Sequence, residues 1–273
     1  MPRAAALFAA LLLAAPLPAA DDDPIEVLLI CGGCCHNYAK QSADLKAGIE
    51  GRIDAEVTIV MTDDKTTKAK FDLYQQKDRW AEGYDVVLHD ECSANVTDKA
   101  YVDRILAEHR RGVPAVNLHC AMHCYRWGDY RQPVKDGADN AGWYEMLGIQ
   151  SSGHGPKAPI DVSFTGEVKP ISDGLANWTT TTDELYNNVR VFEGVTPVAM
   201  GRQRQPPTKQ EREADPDAEG RTETAVVAWT YHYGPQKTRV FCTTMGHTDE
   251  VVASEEYLDL VARGVAWAAG RAD

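Results

Sequence analysis

The sequence predicts an α/β fold built on a mainly parallel sheet with helices on both faces and a mixed extension of that sheet in the second half. Three observations predict it. Nearly continuous apolar runs of strand length occur, as strands buried on both faces require. Segments of helical length separate them, and glycine or polar residues punctuate their carboxyl ends.

The elements follow in order. Ile25 to Cys31 is the first strand, closed by Gly32-Gly33, and a helix follows from Tyr38 to Glu50. Val57 to Met61 reads as a second strand, Phe71 to Trp80 as a helix, and Tyr84 to His89 as a third strand. A helix from about Asp98 to Arg111, with Thr97 as its expected N-cap, leads into the run Val113 to Arg126, where an apolar strand turns abruptly into polar residues. We read that run as a strand, a sharp elbow and a helix start. The second half is less regular. Short β-type runs at Pro159 to Phe164, Thr196 to Met200, Ala225 to Tyr231 and Arg239 to Thr244 precede a final helix from about Ser254 to Ala269. The charged, proline-containing segment 203–224 has no periodicity and reads as a flexible surface loop.

Residues 1–20, with Arg3, the Ala4 to Ala15 run and the Pro18-Ala19-Ala20 exit, have the pattern of a secretory signal. A single domain is expected over 24–271, exported to the periplasm or beyond, with no transmembrane span in the mature chain. Loss of Arg3 takes the formal charge from −13 to −14. Such acidity repels nucleic acid and anionic membranes, so the expected partner is a small molecule, neutral or approached through a cation. Oligomeric state is not legible.

The cysteine count of seven is odd, so at least one thiol is unpaired. Cys31 and Cys242, inside apolar runs, read as plain buried residues. Cys34 and Cys35 are adjacent, and pairing one of them with Cys92, Cys120 or Cys124 is the simpler expectation than a bond between neighbours.

Five histidines, His36, His119, His123, His154 and His247, fall where loops following strand-like runs bring side chains to one edge of the sheet. His119 and His123 are four apart and share a face if the elbow opens an α-helix, the spacing of zinc-binding helices. A catalytic zinc-type centre needs three protein ligands and an open position, so His36, His119, His123 and His154 are the metal candidates for zinc or a similar divalent ion, with His247 as an alternative third ligand beside the His119–His123 pair. Hydrogen-bonded core histidines are the competing explanation. Glu184 is a candidate general acid or base, metal ligand or orienter of a histidine, with a helix-start acid as the alternative, and His247, beyond a strand end, is a second catalytic candidate. Asp90, with its neighbours His89 and Glu91, stands at the end of the third strand, able to complete a metal shell, to anchor sugar hydroxyls, to cap a helix or simply to be solvated. Trp127 is the favoured stacking platform, ahead of Trp143 and Trp178. His109, in a charged helix, reads as a surface residue, and His232 as structural.

Gly32 to Tyr38, Asn117 to His123, Ser152 to Pro156, Thr182-Asp183-Glu184-Leu185-Tyr186, Val227 to Thr230 and Gly234 to His247, in that order and spacing, resemble the trehalose-utilisation or ThuA-like family. The resemblance covers essentially all of the mature chain. It implies a fold similar to class I glutamine amidotransferases and flavodoxin, a sugar substrate, and a place in disaccharide or oxidised-sugar metabolism. Tyr186 enters as a substrate-binding candidate through its motif. In the amidotransferase relatives the elbow residue is a cysteine nucleophile, which makes Cys120 a catalytic candidate here. The glycine-flanked elbow of those enzymes is absent, since His119 and Ala121 flank Cys120. Three readings are therefore carried forward: a metal-assisted hydrolase, lyase or isomerase, a thiol hydrolase using Cys120, and a carbohydrate-binding envelope protein.

Overall fold

The computed structural model describes residues 23–272; the segment read as a secretory signal lies outside them. The nine-residue strand β1 (Ile25–Gly33) pairs in parallel with β2 (Ala55–Met61) on one side and β3 (Val86–Cys92) on the other. Its side chains alternate between two apolar cores. Val27, Leu29 and Cys31 enter one, and Leu28 and Ile30 enter the other. That two-sided burial is why the run is continuously apolar.

Helix α1 (Tyr38–Glu50) packs on the first face, and α2 (Leu73–Gln76) and α3 (Lys99–Arg110) on the second. Only the middle of the helix expected from Phe71 to Trp80 is helical. The N-cap of α3 is Asp98, whose carboxylate accepts from the Tyr101 amide, in place of Thr97. β4 (Ala115–Leu118) ends in a 3-10 helix, His119–His123, and α4 (Gly142–Leu147) follows.

Five strands escaped the sequence pattern because they are short or carry little apolar alternation: β5 (Ile149–Gln150), β6 (His154–Ala158), β8 (Trp178–Thr179), β9 (Asp183–Tyr186) and β10 (Arg190–Val191). Between them lie β7 (Asp161–Phe164) and α5 (Lys169–Ser172). β11 (Thr196–Gln205) and β12 (Arg221–Tyr233) run well into the segment read as a loop, and α6 (Lys209–Ala214) between them opens with a Thr208–Glu211 capping box. β13 (Thr238–Thr243), α7 (Asp249–Val252) and α8 (Glu255–Ala268) complete the chain, with α8 on the α1 face.

The main sheet has the order β2-β1-β3-β4-β13-β12-β11-β7-β8. Its first five strands are parallel, the flavodoxin-like order, and the antiparallel β12, β11, β7 and β8 form the mixed extension. Chain direction splits around β1, so the carboxyl ends of β1, β3, β4 and β13 border the crevice where such sheets bind ligands. The small antiparallel sheet of β6 and β9 sets His154 opposite Tyr186 and Lys157 opposite Glu184. Among the described residues no helix is long and apolar enough to cross a membrane.

Candidate active site at the carboxyl edge

Three loops meet at this edge. His36 follows β1, His119 follows β4 and His247 follows β13, while Glu184 and Tyr186 arrive on β9. His119 holds φ 40°, so the left-handed corner residue of the strand-to-helix elbow is a histidine, and the side chain displayed there is an imidazole. Gly246 prepares His247. Its φ is 114°, and a Cβ there would lie 2.6 Å from the Tyr257 hydroxyl.

Hydrogen bonds fix the tautomers. His119 Nδ1 donates to the Thr244 carbonyl at 2.7 Å, which leaves the Nε2 lone pair facing inward. Around that lone pair stand His247 Nδ1 at 3.3 Å, the Tyr186 hydroxyl at 3.3 Å and Glu184 Oε2 at 3.7 Å. Glu184 Oε2 is also 3.5 Å from His247 Nδ1 and 3.6 Å from His154 Nε2, and Lys157 Nζ is 3.9 Å from Oε1. His119 Nε2, His247 Nδ1 and Glu184 Oε2 thus form a three-donor set within 4.8 Å of one another. Tetrahedral ligands at zinc bond lengths stand roughly 3.3 Å apart, so separations of 3.3, 3.5 and 3.7 Å fit one ion with little movement. A histidine anchored to a carbonyl through its other nitrogen is the usual outer arrangement of such a ligand.

Burial governs the electrostatics. It holds His119 well below the ordinary imidazole range, helped by His36 and His247, and holds His247 down to about 4. Both rings are therefore neutral near pH 7, the form that coordinates metal. Burial also raises the Glu184 carboxyl, against the pull of His154 and Lys157.

Asp183 was not singled out by the sequence, yet it organises the edge. Its buried carboxylate accepts from the amides of Glu184 at 2.8 Å, Gly246 at 2.9 Å and His247 at 3.1 Å, tying β9 to the His247 loop. Burial pushes it up to about 6 against those three bonds. The Thr-Asp-Glu motif was its only signal. Since Asp183–Tyr186 is a strand, the helix-start explanation of these acids is excluded.

The other candidates separate. His123 turns away from His119 because the elbow is a 3-10 helix, where residues four apart stand about 120° apart around the axis. His123 Nε2 meets Ser151 Oγ at 2.8 Å, and its ring stacks on Tyr186 at 4.1 Å. His36 contacts the His247 carbonyl through Nδ1 at 3.0 Å and Cys120 Sγ through Nε2 at 2.9 Å. The His36, His119 and Cys120 atoms make a second possible donor set. His154 is largely exposed beside Glu184. Cys120 is buried, and contact with Cys92 together with burial pushes its thiol well up.

Asp90 is buried on the α8 side, where desolvation and the neighbouring Glu91 raise its carboxyl, and its Oδ2 has no partner among the described residues. Trp127 packs at the margin of the second core, and no ring pair among the described residues joins it to the site. Trp143 is buried with its indole donating to the Ala121 carbonyl, and Trp178 packs on Phe164. His232 packs edge-on against Trp267. His109 is fully buried, a correction to its surface assignment that its partner His89 explains. Cys34 and Cys35 are bonded to each other, against the expectation of a longer-range pair, while Cys31 and Cys242 are free and buried as expected. Beside His154 and Tyr186 a cavity of about 490 Å³ is lined by Asn187, Asn188, Arg221 and Glu223, none of which the sequence suggested.

A family model described as ThuA, trehalose utilisation, matches residues 27–268. The chain belongs to the ThuA family. A ThuA-like protein from Parabacteroides merdae is 18% identical, with 92% of each chain covered and a TM-score of 0.63. A cytoplasmic protein from Salmonella typhimurium is 11% identical over 89% of this chain and 98% of its own, with a TM-score of 0.54. Both likenesses concern the fold alone. No curated protein sequence is a match. Family membership implies a role in trehalose utilisation.

Proposed function

We propose that this ThuA-family chain is an exported, single-domain, metal-assisted enzyme acting on a disaccharide or keto-sugar, as a hydrolase, lyase or isomerase. The observation that carries the reading is the convergence of His119 Nε2, His247 Nδ1 and Glu184 Oε2 on one space. These three would hold a divalent ion of the zinc type, which supplies charge stabilisation at a carbonyl or an activated water. Asp183 orients His247 and Glu184 through their amides. His154, exposed at 3.6 Å from Glu184, is the side chain free to carry a proton to or from substrate. Asn187, Asn188, Arg221 and Glu223 offer hydrogen-bond partners for sugar hydroxyls in the adjoining cavity. The acidic surface supports a small-molecule partner over nucleic acid, and the Cys34–Cys35 bond supports an oxidising compartment.

The test is metal analysis of the purified chain followed by assay on keto-disaccharides with and without chelator. Bound zinc or a similar ion and loss of turnover in chelator are expected. A metal-free protein with full activity in chelator overturns the metal reading.

A second reading rests on the 2.9 Å contact between His36 Nε2 and Cys120 Sγ, which makes Cys120 a nucleophile with His36 as base. Burial weakens it, because the thiol is held in its neutral form. Turnover that survives Cys120→Ala eliminates this route.

A further inference from the structure

Five cysteines gather behind the carboxyl edge, and the metal-assisted chemistry uses none of them. Cys34 is bonded to Cys35, and Cys92 Sγ lies 3.6 Å from Cys34 Sγ. The backbone fixes that approach. Gly33 is paired with Cys92 across the β1–β3 ladder, the Cys34 amide donates to the Cys92 carbonyl at 3.4 Å, and a Cβ at Gly33 would fall 2.3 Å from that carbonyl oxygen. Only glycine lets the Cys34 turn lie this close to the end of β3.

We propose that Cys34, Cys35 and Cys92 form a disulfide-exchange site, in which the bond moves from Cys34–Cys35 to Cys34–Cys92 and Cys35 emerges as an exposed, modifiable thiol. The Cys92 thiolate attacks Cys34 Sγ; the Cys34–Cys92 bond forms, the Cys34–Cys35 bond breaks, and its electron pair leaves on Cys35. The proton given up by Cys92 is balanced by one taken up at Cys35. The three sulfurs together keep their oxidation state, so no external oxidant or reductant enters.

Burial assigns the roles. Cys92 is buried and held against Cys34, Cys34 is half-buried, and Cys35 is exposed, so the attacking sulfur is the inner one and the leaving sulfur faces solvent. Constraint of two reacting groups in one place is what makes such a step effectively unimolecular. Cys35 stands at φ 85°, a region that non-glycine residues seldom occupy, which turns its side chain out beside the Cys34 bond. The released thiol opens into a cavity of about 340 Å³ lined by His36, Asn37, Thr62, Asp63 and Lys65, which is room for a small thiol-reactive molecule. Because Cys92 lies against Cys120, whose sulfur meets His36, exchange alters the packing at the border of the histidine cluster.

The test uses the full mature chain, equilibrated with oxidised glutathione, freed of it, and incubated with iodoacetamide for increasing times. It is then digested at acid pH without reduction and mapped by mass spectrometry. Carbamidomethylation at Cys35 should grow together with a Cys34–Cys92 linked peptide, and both should be lost in Cys92→Ser. Recovery of Cys34–Cys35 alone with Cys35 unlabelled throughout, or equal Cys35 labelling in Cys92→Ser, overturns the proposal. Cys35→Ser provides the second variant. Under oxidised glutathione it should accumulate the Cys34–Cys92 link, and recovery of those two residues unlinked to each other overturns the proposal equally. None of these readouts depends on metal binding or turnover.

Discussion

The molecule holds two histidine clusters of similar composition and opposite character. In the second core, His109 Nδ1 donates to the Val113 carbonyl at 2.8 Å, so its Nε2 must accept from His89 Nε2 at 3.0 Å. His89 Nδ1 then faces Glu91 Oε1 at 3.1 Å, and that carboxyl is also met by the Tyr74 and Tyr125 hydroxyls at 3.1 Å each. With His89 donating at Nε2, its Nδ1 faces both Glu91 and the Tyr74 hydroxyl, at 3.2 Å from the latter, and every ring nitrogen has a partner. At the carboxyl edge the accounting ends differently. The His119 lone pair, His247 Nδ1 and Glu184 Oε2 point at a shared space, at separations that suit a bound ion better than each other. A histidine cluster becomes chemistry when acceptors are left over, and structure when none are.

The largest expected effect tests the closed cluster. Glu91→Ala strands His89 and two tyrosine hydroxyls in a dry core and should cost about 3–5 kcal/mol, the range for removing one partner of a buried pair, by urea denaturation. Glu184→Ala should change stability by no more than about 1 kcal/mol, because a carboxyl already raised by burial gives up little when removed. Equal losses in the two variants would erase the distinction between the clusters.

Zinc sharpens it next. At about a hundred times its dissociation constant zinc should raise stability by about 2.7 kcal/mol through binding to the folded state alone. Calorimetry should find that increment abolished by His119→Ala or His247→Ala and retained by His109→Asn, whatever that variant loses in stability. Asp183→Asn, which keeps the shape but weakens the amide clamp, should lower zinc affinity by about 10–100-fold.

Acid distinguishes the clusters in a third way. His109 is held down to about 3 and His247 to about 4, chiefly by burial, against an unfolded value of about 6.5. Both shifts are depressions of a base. The unfolded chain therefore binds the protons first, and the stability tied to the neutral rings is present above pH 6.5 and lost as pH falls towards the folded values. Each ring should add a slope of about 1.4 kcal/mol per pH unit, between 6.5 and 4 for His247 and between 6.5 and 3 for His109. Saturating zinc should steepen the acid limb of the wild type and leave His247→Asn unchanged, as measured by denaturation across that range.

The strands and crossover helices of the first half were legible because burial on both faces forces uninterrupted apolar runs, as in β1 and β3. The edge carrying His36, His119 and His247 followed from the strand-like runs those residues come after, β1, β4 and β13. What the sequence hid depends on geometry finer than its periods. The i,i+4 spacing of His119 and His123 promised one face, but a 3-10 turn separates them. β6 and β9 are too short and too polar to announce themselves, so Glu184 could be named without its strand, and Asp183 was missed altogether. His109 looked exposed because its helix is charged, yet the ring lies on the inner face beside Trp80 and His89. The neighbouring cysteines looked unlikely to bond, and the left-handed backbone at Cys35 accommodates what an ordinary conformation would not.

The smallest expected effect lies at Tyr186, which touches the open cluster with its hydroxyl and a buried histidine with its ring. Tyr186→Phe removes the 3.3 Å contact to His119 Nε2 but preserves the stack on His123 at 4.1 Å and 3°. A neutral hydrogen bond of that length contributes about 1 kcal/mol or less, so stability should barely move. Zinc affinity should hold or rise, because the hydroxyl proton competes with the ion for the same lone pair. Tyr186→Ala, in contrast, should lose the stack and release His123, with a cost of about 3–5 kcal/mol for truncating a buried aromatic ring. If Phe weakens zinc as severely as His119→Ala does, the hydroxyl is itself part of the donor set, and the open cluster has four members.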